Sequence, residues 1–224
     1  SMQRGRIVDR HGIVLAETVN GQRRYPHGPA AAHITGYQSA RYGMTGVERA
    51  DDLHLRGAAV SFDPESLQRF AQNLFNHRLV AGHDTVLTID ARLQAEAYRL
   101  LNGRRGAVVG ICPRNGAVVV MASSPSFDPN ALDVIMKRKP GEAAFLNRAV
   151  AGLYPPGSTF KALVAAVAAQ HKLGGPLDCP AEGVAADAGA KPIRDHEYYE
   201  YERDGKRWRG QGTISIKEGL ARSS

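Results

Sequence analysis

The sequence has few cysteines, a single tryptophan and no long hydrophobic run. Among its 224 residues, Cys112 and Cys179 are the only cysteines and lie in unrelated contexts, so neither a disulfide framework nor a cysteine-based metal site is indicated. Cys112 ends an apolar run and is interpreted as a buried small hydrophobic residue. The longest purely apolar run, residues 162–169, is far shorter than the roughly 18 residues that suggest a membrane-spanning helix. The composition is typical of a soluble globular protein.

Acidic residues are outnumbered by basic ones. The chain has 22 aspartates and glutamates against 29 lysines and arginines, which gives a formal net charge of +7. The basic residues are spread along the sequence and form no basic tail. This distribution favours a solvated basic surface over nucleic-acid binding, and it would suit a negatively charged membrane or wall surface nearby.

The first 83 residues are predicted to form an irregular module of mixed helix and strand. Two β-branched runs, residues 6–8 and 13–15, flank a glycine turn and indicate a small hairpin. Residues 21–57 are rich in glycine, proline, histidine and tyrosine without a sustained period, which is typical of loops. Apolar residues at three- and four-residue steps predict a helix over residues 64–79.

An α/β domain is predicted to begin at Asp84 and to continue through residue 224. Asp90 is placed to cap a helix over residues 91–101. Two apolar strands, residues 106–112 and 117–122, are joined by a turn that contains Asn-Gly, a strong hairpin signal. Because these strands are apolar almost throughout, we expect helices to cover both faces of their sheet.

Two further helices are predicted in the last third of the chain. The first begins at Ser158 and is apolar on all sides from Phe160 to Ala169 apart from Lys161, so we expect it to be buried. The second opens at Ser215 with the spacing of a capping box. Residues 187–209 between them are highly charged and carry scattered aromatics, which is interpreted as a solvated excursion.

Ser158 and Lys161 form the clearest candidate for a catalytic site. Three residues apart on a helix, they share one face, with their side chains within hydrogen-bonding reach. A serine is a poor nucleophile unless a base removes its proton, and a lysine serves as that base only if burial or nearby positive charge keeps it partly neutral. The start of the helix would add backbone N–H groups and a positive dipole end that favour a developing oxyanion.

The spacing alone is a weak signal, because Ser158 could be a plain helix cap and Lys161 a surface residue. The context favours the catalytic interpretation. Pro155-Pro156-Gly157 predicts a tight turn that presents Ser158 at a surface, and the residues that flank Lys161 are apolar. An α/β-hydrolase is disfavoured because the second glycine of Gly-x-Ser-x-Gly is absent.

Several blocks of the sequence, in consistent order, resemble class B penicillin-binding proteins. The blocks in the amino-terminal part are residues 4–16, 33–37, 46–48 and 55–57. The blocks that resemble the transpeptidase domain are residues 87–94, 122–130 and 147–149, followed by Pro-Gly-Ser-Thr-Phe-Lys at residues 156–161. An ordered series of this kind is far more specific than one tetrapeptide.

The resemblance implies an α+β chain, in which a pedestal-like module over residues 1–83 precedes a serine β-lactamase-like transpeptidase domain over residues 84–224. It implies that Ser158 attacks the D-alanyl-D-alanine end of a peptidoglycan stem peptide, with Lys161 as general base. An amine on a neighbouring strand would then resolve the acyl-enzyme into a cross-link. β-Lactam antibiotics would acylate the same serine, and no cofactor or metal is implied. Ser223 falls where the second motif of the family, Ser-x-Asn, begins.

The third motif of the family, Lys-Thr-Gly or Lys-Ser-Gly, is absent from the sequence. The resemblance therefore covers roughly half of a transpeptidase domain, and we expect exposed sheet edge and apolar surface. Either the chain is a deliberate or proteolytic fragment, or a second chain or a second copy completes the domain. We expect the isolated chain to turn over peptide poorly or not at all.

Two alternatives stay open. A serine β-lactamase-like hydrolase shares Ser-x-x-Lys but has no counterpart of residues 4–57. A non-catalytic scaffold would keep these elements for contacts with membrane-bound wall-synthesis proteins. For any of the wall-synthesis roles, we expect the extracytoplasmic face of the bacterial cytoplasmic membrane, with an anchor outside this sequence. The opening Ser1-Met2 resembles the remnant of a cleaved expression tag.

Overall fold

The computed structural model describes residues 4–58, 81–137 and 144–222. The chain divides into two compact units, one up to Leu153 and one from Tyr154 onward. The helix predicted over residues 64–79 lies outside the described residues, as does Ser223. The domain boundary predicted at residue 83 stays a prediction.

The first unit is organised around a four-stranded sheet of β1 (Ile7–Val8), β2 (Val14–Val19), β3 (Gln22–Arg24) and β6 (Thr85–Val86). The strand order is β3-β2-β1-β6. Strand β2 pairs antiparallel with both β1 and β3, whereas β6 pairs in parallel with β1. The predicted hairpin near the start of the chain is thus confirmed, and β6 joins it from 78 positions later in the sequence.

A buried aspartate holds the turn of this hairpin. Oδ1 of Asp9 accepts hydrogen bonds from the backbone N–H groups of His11 and Ile13 at 2.7 and 2.8 Å. Its Oδ2 accepts one from Ala91 N–H at 2.9 Å. Burial raises the pKa of the Asp9 carboxyl, but these three donors outweigh it and leave the pKa below its ordinary value. The Asp9 side chain therefore fixes both the turn of the hairpin and the start of the helix that begins at Ala91.

Short helices and a two-stranded ribbon complete the amino-terminal part, so the prediction of loops rather than helices over residues 21–57 is wrong for these segments. The helices are α1 (Ala32–Thr35), α2 (Gly46–Ala50) and α3 (Asp52–Leu55), and the ribbon pairs β4 (Gln38–Ser39) with β5 (Gly43–Met44). Apolar side chains from these elements and from the sheet share one core, and its most buried members are Ile7, Leu15, Ala32, Leu55 and Ala91.

An ionic cluster is buried beside this core. Glu48 on α2 is fully buried and accepts hydrogen bonds from Arg4 Nε at 2.7 Å and Arg23 Nε at 2.6 Å. Arg4 Nη1 also donates to Asp52 at 2.6 Å. Each buried charge thus has partners of opposite sign, which offsets the cost of removing it from water.

The helix α4 (Ala91–Leu101) packs on the hairpin of β7 (Gly106–Ile111) and β8 (Val118–Ser124). Asp90 caps α4 as predicted, since its side chain accepts from the N–H groups of Arg92 and Leu93. Gln94 is buried and joins α4 to the backbone of Met121 on β8 through both its amide oxygen and its amide nitrogen.

The expectation that both faces of this hairpin are covered is wrong for β7. In β8 the residues from Ala122 to Ser124 are buried, but Val109 and Ile111 on β7 are 47% and 58% exposed. Within the described ranges β7 pairs only with β8, so one edge and much of its surface lack a neighbour. The predicted exposure of sheet edge and apolar surface is confirmed here. Cys112, predicted to be buried, is partly exposed.

The first unit ends with two short helices, α5 (Leu132–Lys137) and α6 (Arg148–Ala151). Asn147 caps α6 through a hydrogen bond from Ala149 N–H. Phe127, in the loop before α5, contacts Tyr37 edge to face and Phe145 at a tilted angle, and it belongs to the same core.

The second unit contains α7 (Phe160–Gln170), β9 (Leu177–Cys179), α8 (His196–Arg203), β10 (Gly212–Ile214) and α9 (Ile216–Arg222). Strands β9 and β10 pair antiparallel. The predicted capping box at the start of α9 is confirmed, because Ser215 Oγ accepts from Glu218 N–H while a Glu218 carboxylate oxygen accepts from Ser215 N–H. Over the ranges that the structure describes, no helix combines the length and apolarity needed to span a membrane.

The burial predicted for α7 is wrong in this structure. None of its residues is buried, and Phe160, Leu163 and Val164 are each more than half exposed. Within the second unit α7 packs against α9, which covers only one side of it. A uniformly apolar sequence predicts that a helix packs against other elements on all sides, but it does not specify which elements those are.

Candidate active site

The turn that leads into α7 is set by Gly157. This residue has φ +56°, a backbone conformation that glycine adopts without the strain a Cβ would cause. A single 3₁₀ turn over Gly157–Thr159 runs directly into α7, so Ser158 lies at the beginning of a continuous helical stretch. Ser158 is exposed, as the Pro-Pro-Gly sequence predicts, and Lys161 one turn later is half-buried.

Ser158 and Lys161 line the same cleft, which has a volume of about 630 Å³. The opposite wall is the segment from Cys179 to Tyr199, and its charged and aromatic members are Arg194, Asp195, His196 and Tyr199. Lys161 also borders an apolar groove of about 460 Å³ between α7 and α9. The structure thus brings two of the three predicted site residues to one cleft, and the third, Ser223, lies outside the described residues.

The cleft wall is held in place by backbone contacts. Val184 and Ile193 form an isolated antiparallel bridge, with hydrogen bonds of 3.0 and 2.9 Å in the two directions. Gly183 stands beside this bridge at φ +81°, where a Cβ would lie 2.3 Å from the carbonyl oxygen of Ile193. Only glycine allows so close an approach, so the bridge and Gly183 together fix the start of the wall.

Polar contacts connect the far end of the wall to α9. Glu197 on α8 accepts a hydrogen bond from Gln211 at 3.3 Å, and Gln211 in turn accepts from Arg222 on α9 at 2.8 Å. His196 Nδ1 lies 3.3 Å from the Glu197 carboxylate. The contacts of Gln211 thus tie α8, which carries the cleft-lining His196, to α9.

The sequence predicts a solvated excursion over residues 187–209, but in the structure residues between Ile193 and Tyr199 line the same cleft as Ser158 and Lys161. No spacing in the sequence marks these residues as site residues. The isolated bridge that folds them back pairs positions nine residues apart, and it follows from no regular strand or helix pattern.

The arrangement suits nucleophilic catalysis by a serine. An exposed hydroxyl and an amine lie three residues apart at the start of a helix and line one cleft, which is large enough for a small peptide. Charged side chains of both signs line the opposite wall, so the cleft can bind polar as well as apolar parts of a ligand.

Comparison with family models matches both parts of the chain. Residues 106–224 match the penicillin binding protein transpeptidase domain, and residues 4–83 match the penicillin binding protein A dimerisation domain. Peptidoglycan D,D-transpeptidase PbpA of Mycolicibacterium smegmatis is 36% identical over 191 residues, which are 76% of this chain and 38% of that protein. Peptidoglycan D,D-transpeptidase MrdA of Escherichia coli K12 is 34% identical over 175 residues, which are 64% of this chain and 28% of that protein.

Solved structures agree with this assignment. PBPA from Mycobacterium tuberculosis matches with a TM-score of 0.75 and 28% identity, over 100% of this chain and 53% of that one. The imipenem acyl-enzyme complex of penicillin-binding protein A from the same species matches with a TM-score of 0.72 and 29% identity, over 98% and 52%. The chain thus spans about half the length of these solved chains and 38% of the PbpA relative.

These matches confirm the fold class and the family predicted from the ordered blocks of sequence. The transpeptidase-domain model alone covers more than half of the residues. The chain belongs to the family of penicillin-binding proteins and carries part of its transpeptidase domain.

Proposed function

We propose that the protein containing this chain is a peptidoglycan D,D-transpeptidase, with Ser158 as nucleophile and Lys161 as general base. The observation that carries the proposal is the position of both side chains on one cleft at the start of α7. The relatives named as peptidoglycan D,D-transpeptidases, and a neighbour solved as an acyl-enzyme with imipenem, support it.

The proposed reaction proceeds in two steps. Ser158 Oγ attacks the carbonyl carbon between the two terminal D-alanines of a stem peptide, and Lys161 takes the serine proton. The bond from that carbon to the last D-alanine breaks, Lys161 returns the proton to the departing amine, and an ester to Ser158 remains. An amine of a neighbouring peptide then attacks the ester, which releases the serine hydroxyl and forms the cross-link.

The proposed ligands and location follow from this reaction. Stem peptides are the substrates, and β-lactam antibiotics acylate Ser158 in their place. Because cross-linking takes place in the wall, the catalytic unit works outside the cytoplasmic membrane. Membrane-bound wall-synthesis proteins are the proposed partners, and a membrane anchor outside this sequence is proposed to hold the enzyme near them.

Active-site labelling tests the proposal. Full-length protein is treated with benzylpenicillin, digested and analysed by mass spectrometry. We expect one penicilloyl adduct on the peptide with Ser158, none in Ser158→Ala, and acylation slowed by about 100-fold or more in Lys161→Met. Thr159→Ala is the matched control, because it removes the neighbouring hydroxyl, and it should label normally. An adduct that persists in Ser158→Ala contradicts the assignment.

The same assay examines the isolated chain. The sequence has no Lys-Thr-Gly or Lys-Ser-Gly, and we expect residues 1–224 alone to label poorly and to turn over no peptide. Stable stoichiometric labelling of this chain without any added partner would show that the acylation site is complete within it.

A further inference from the structure

Arg194 stands out among the cleft residues because it is an arginine that lines the same cleft as the candidate nucleophile and has side-chain contacts of its own. It is half-buried and lines the cleft together with Ser158 and Lys161. It follows directly after the bridge between Val184 and Ile193, so its backbone is held by hydrogen bonds on the adjacent residue.

Two contacts hold the Arg194 side chain, and its path lies close to Gly183. Its Nε donates a hydrogen bond to the carbonyl oxygen of Glu182 at 3.1 Å. Its guanidinium carbon lies 4.4 Å from the centre of the Tyr198 ring, in cation–π geometry. Its Cγ passes close to the position that a Cβ on Gly183 would occupy. The side chain is therefore preorganised, and less conformational entropy is lost when a ligand binds it.

The guanidinium has donors left over. Among the residues that the structure describes, Glu182 accepts from Nε and Tyr198 covers one face, and neither contact uses the two terminal nitrogens, the pair that binds a carboxylate in a bidentate manner. Within the described residues of the second unit, the ion pairs involve His196, Arg203 and Lys206 rather than Arg194. Besides Lys161, the proposed base, the arginine and carboxylate side chains that line the cleft are those of Arg194 and Asp195.

We propose that Arg194 binds a carboxylate in the acyl part of the substrate, the part that becomes attached to Ser158. This inference rests on the proposed function, because it takes Ser158 as the acylated residue. The carboxylate is distinct from the one at the end of the donor peptide, which departs with the leaving D-alanine. Arg194 thus selects acyl donors that carry an internal negative charge.

Two penicillins that differ by one group test this proposal. Carbenicillin is benzylpenicillin with one additional carboxylate on its acyl side chain. Second-order acylation rate constants are measured for both on full-length protein. We expect Arg194→Ala to lower the constant for carbenicillin by about tenfold, the effect of one charge-assisted hydrogen-bond pair, and to leave benzylpenicillin within about twofold. Arg194→Lys keeps the positive charge but not the pair of parallel N–H donors. Its rate constant for carbenicillin should lie between those of the unmodified protein and Arg194→Ala.

A control variant and the outcomes that would contradict the inference can be told apart in the same assay. Arg203→Ala removes an exposed arginine at the end of α8, outside the cleft, and should change neither constant. Equal losses for both penicillins in Arg194→Ala and Arg194→Lys mean that Arg194 only supports the fold of the wall, which overturns the inference. An unchanged ratio of the two constants overturns it as well. If neither penicillin acylates the unmodified protein at Ser158, the proposed function itself fails and the inference with it.

Discussion

The two units of this chain have similar apolar content but differ greatly in how much of it is buried. The first unit contains a continuous core, and even its charged residues Asp9 and Glu48 are fully buried. In the second unit, among the residues described, only Ile214 and Gly219 are buried. Its large apolar side chains are instead exposed, among them Phe160, Leu163, Val164, Val167, Leu173 and Tyr199.

The difference in burial places the main source of folding stability in the first unit and the candidate catalytic residues in the second. Burial of apolar surface is the main favourable contribution to folding, and the first unit has it while the second largely lacks it. The candidate nucleophile lies in the second unit. Exposed apolar faces on α7 and β7 are expected where part of a transpeptidase domain is present. The chain spans about half the length of its solved relatives. The first unit is therefore expected to account for most of the stability of the chain.

The buried ionic cluster should give the largest effect on the first unit. In Glu48→Gln the charges of Arg4 and Arg23 lose their shared buried counter-ion. Breaking a buried pair on one side typically costs about 3–5 kcal/mol of unfolding free energy. Urea unfolding followed by far-ultraviolet circular dichroism measures the change.

A matched exposed pair provides the control for this substitution. Glu96 and Arg99 form an ion pair on the surface of α4, with both side chains more than half exposed. Glu96→Gln should leave the unfolding midpoint unchanged within error, because exposed pairs contribute little. A loss in Glu48→Gln no larger than that in Glu96→Gln would show that the first unit does not depend on its buried charges.

The second prediction compares the two units directly in the isolated chain. Amide hydrogen exchange should be at least about 100-fold slower in α4 than in α7, since exchange follows the local free energy of opening. Trp208 is the only tryptophan and lies in the second unit, so its fluorescence should report unfolding at lower urea than circular dichroism does. Equal protection of α4 and α7, with coincident transitions, would remove the distinction between the units.

Local structure was predictable from the sequence where the determining contacts are local. The cap at Asp90, the hairpin through Asn115-Gly116 and the capping box from Ser215 to Glu218 each depend on residues within a few positions. The turn that exposes Ser158 is of the same kind. The ordered family blocks then supplied the family, which no local pattern could have done.

Features that depend on distant contacts were missed. The apolar sequence of α7 predicts that this helix is buried. It contains no information on which other elements would pack against the helix. The wall at Arg194 is positioned by one isolated bridge, and the cluster at Glu48 unites residues 25 and 44 positions apart. Hydrophobic periodicity contains no information about such pairings.

The smallest of the expected effects concerns Asp9 and pH. Although burial raises the pKa of its carboxyl, the N–H groups of Ala91, Ile13 and His11 hold that pKa below its ordinary value. A carboxyl whose pKa is lower in the folded state stabilises the fold above its unfolded pKa, which is about 3.9. That stabilisation is lost as pH falls below about 4 toward the folded pKa. Asp9→Asn should remove this part of the acid sensitivity.

At neutral pH the same substitution should cost about 2 kcal/mol, because the amide offers a donor where the Ala91 N–H needs an acceptor. Unfolding free energies of both proteins between pH 3 and 7 check this. The two curves should converge toward low pH, where Asp9 becomes protonated and its charge no longer contributes. Parallel curves over the whole range would mean that the Asp9 charge does not stabilise the first unit. Glu48 alone would then support the contrast between a first unit stabilised by buried charges and a second unit without them.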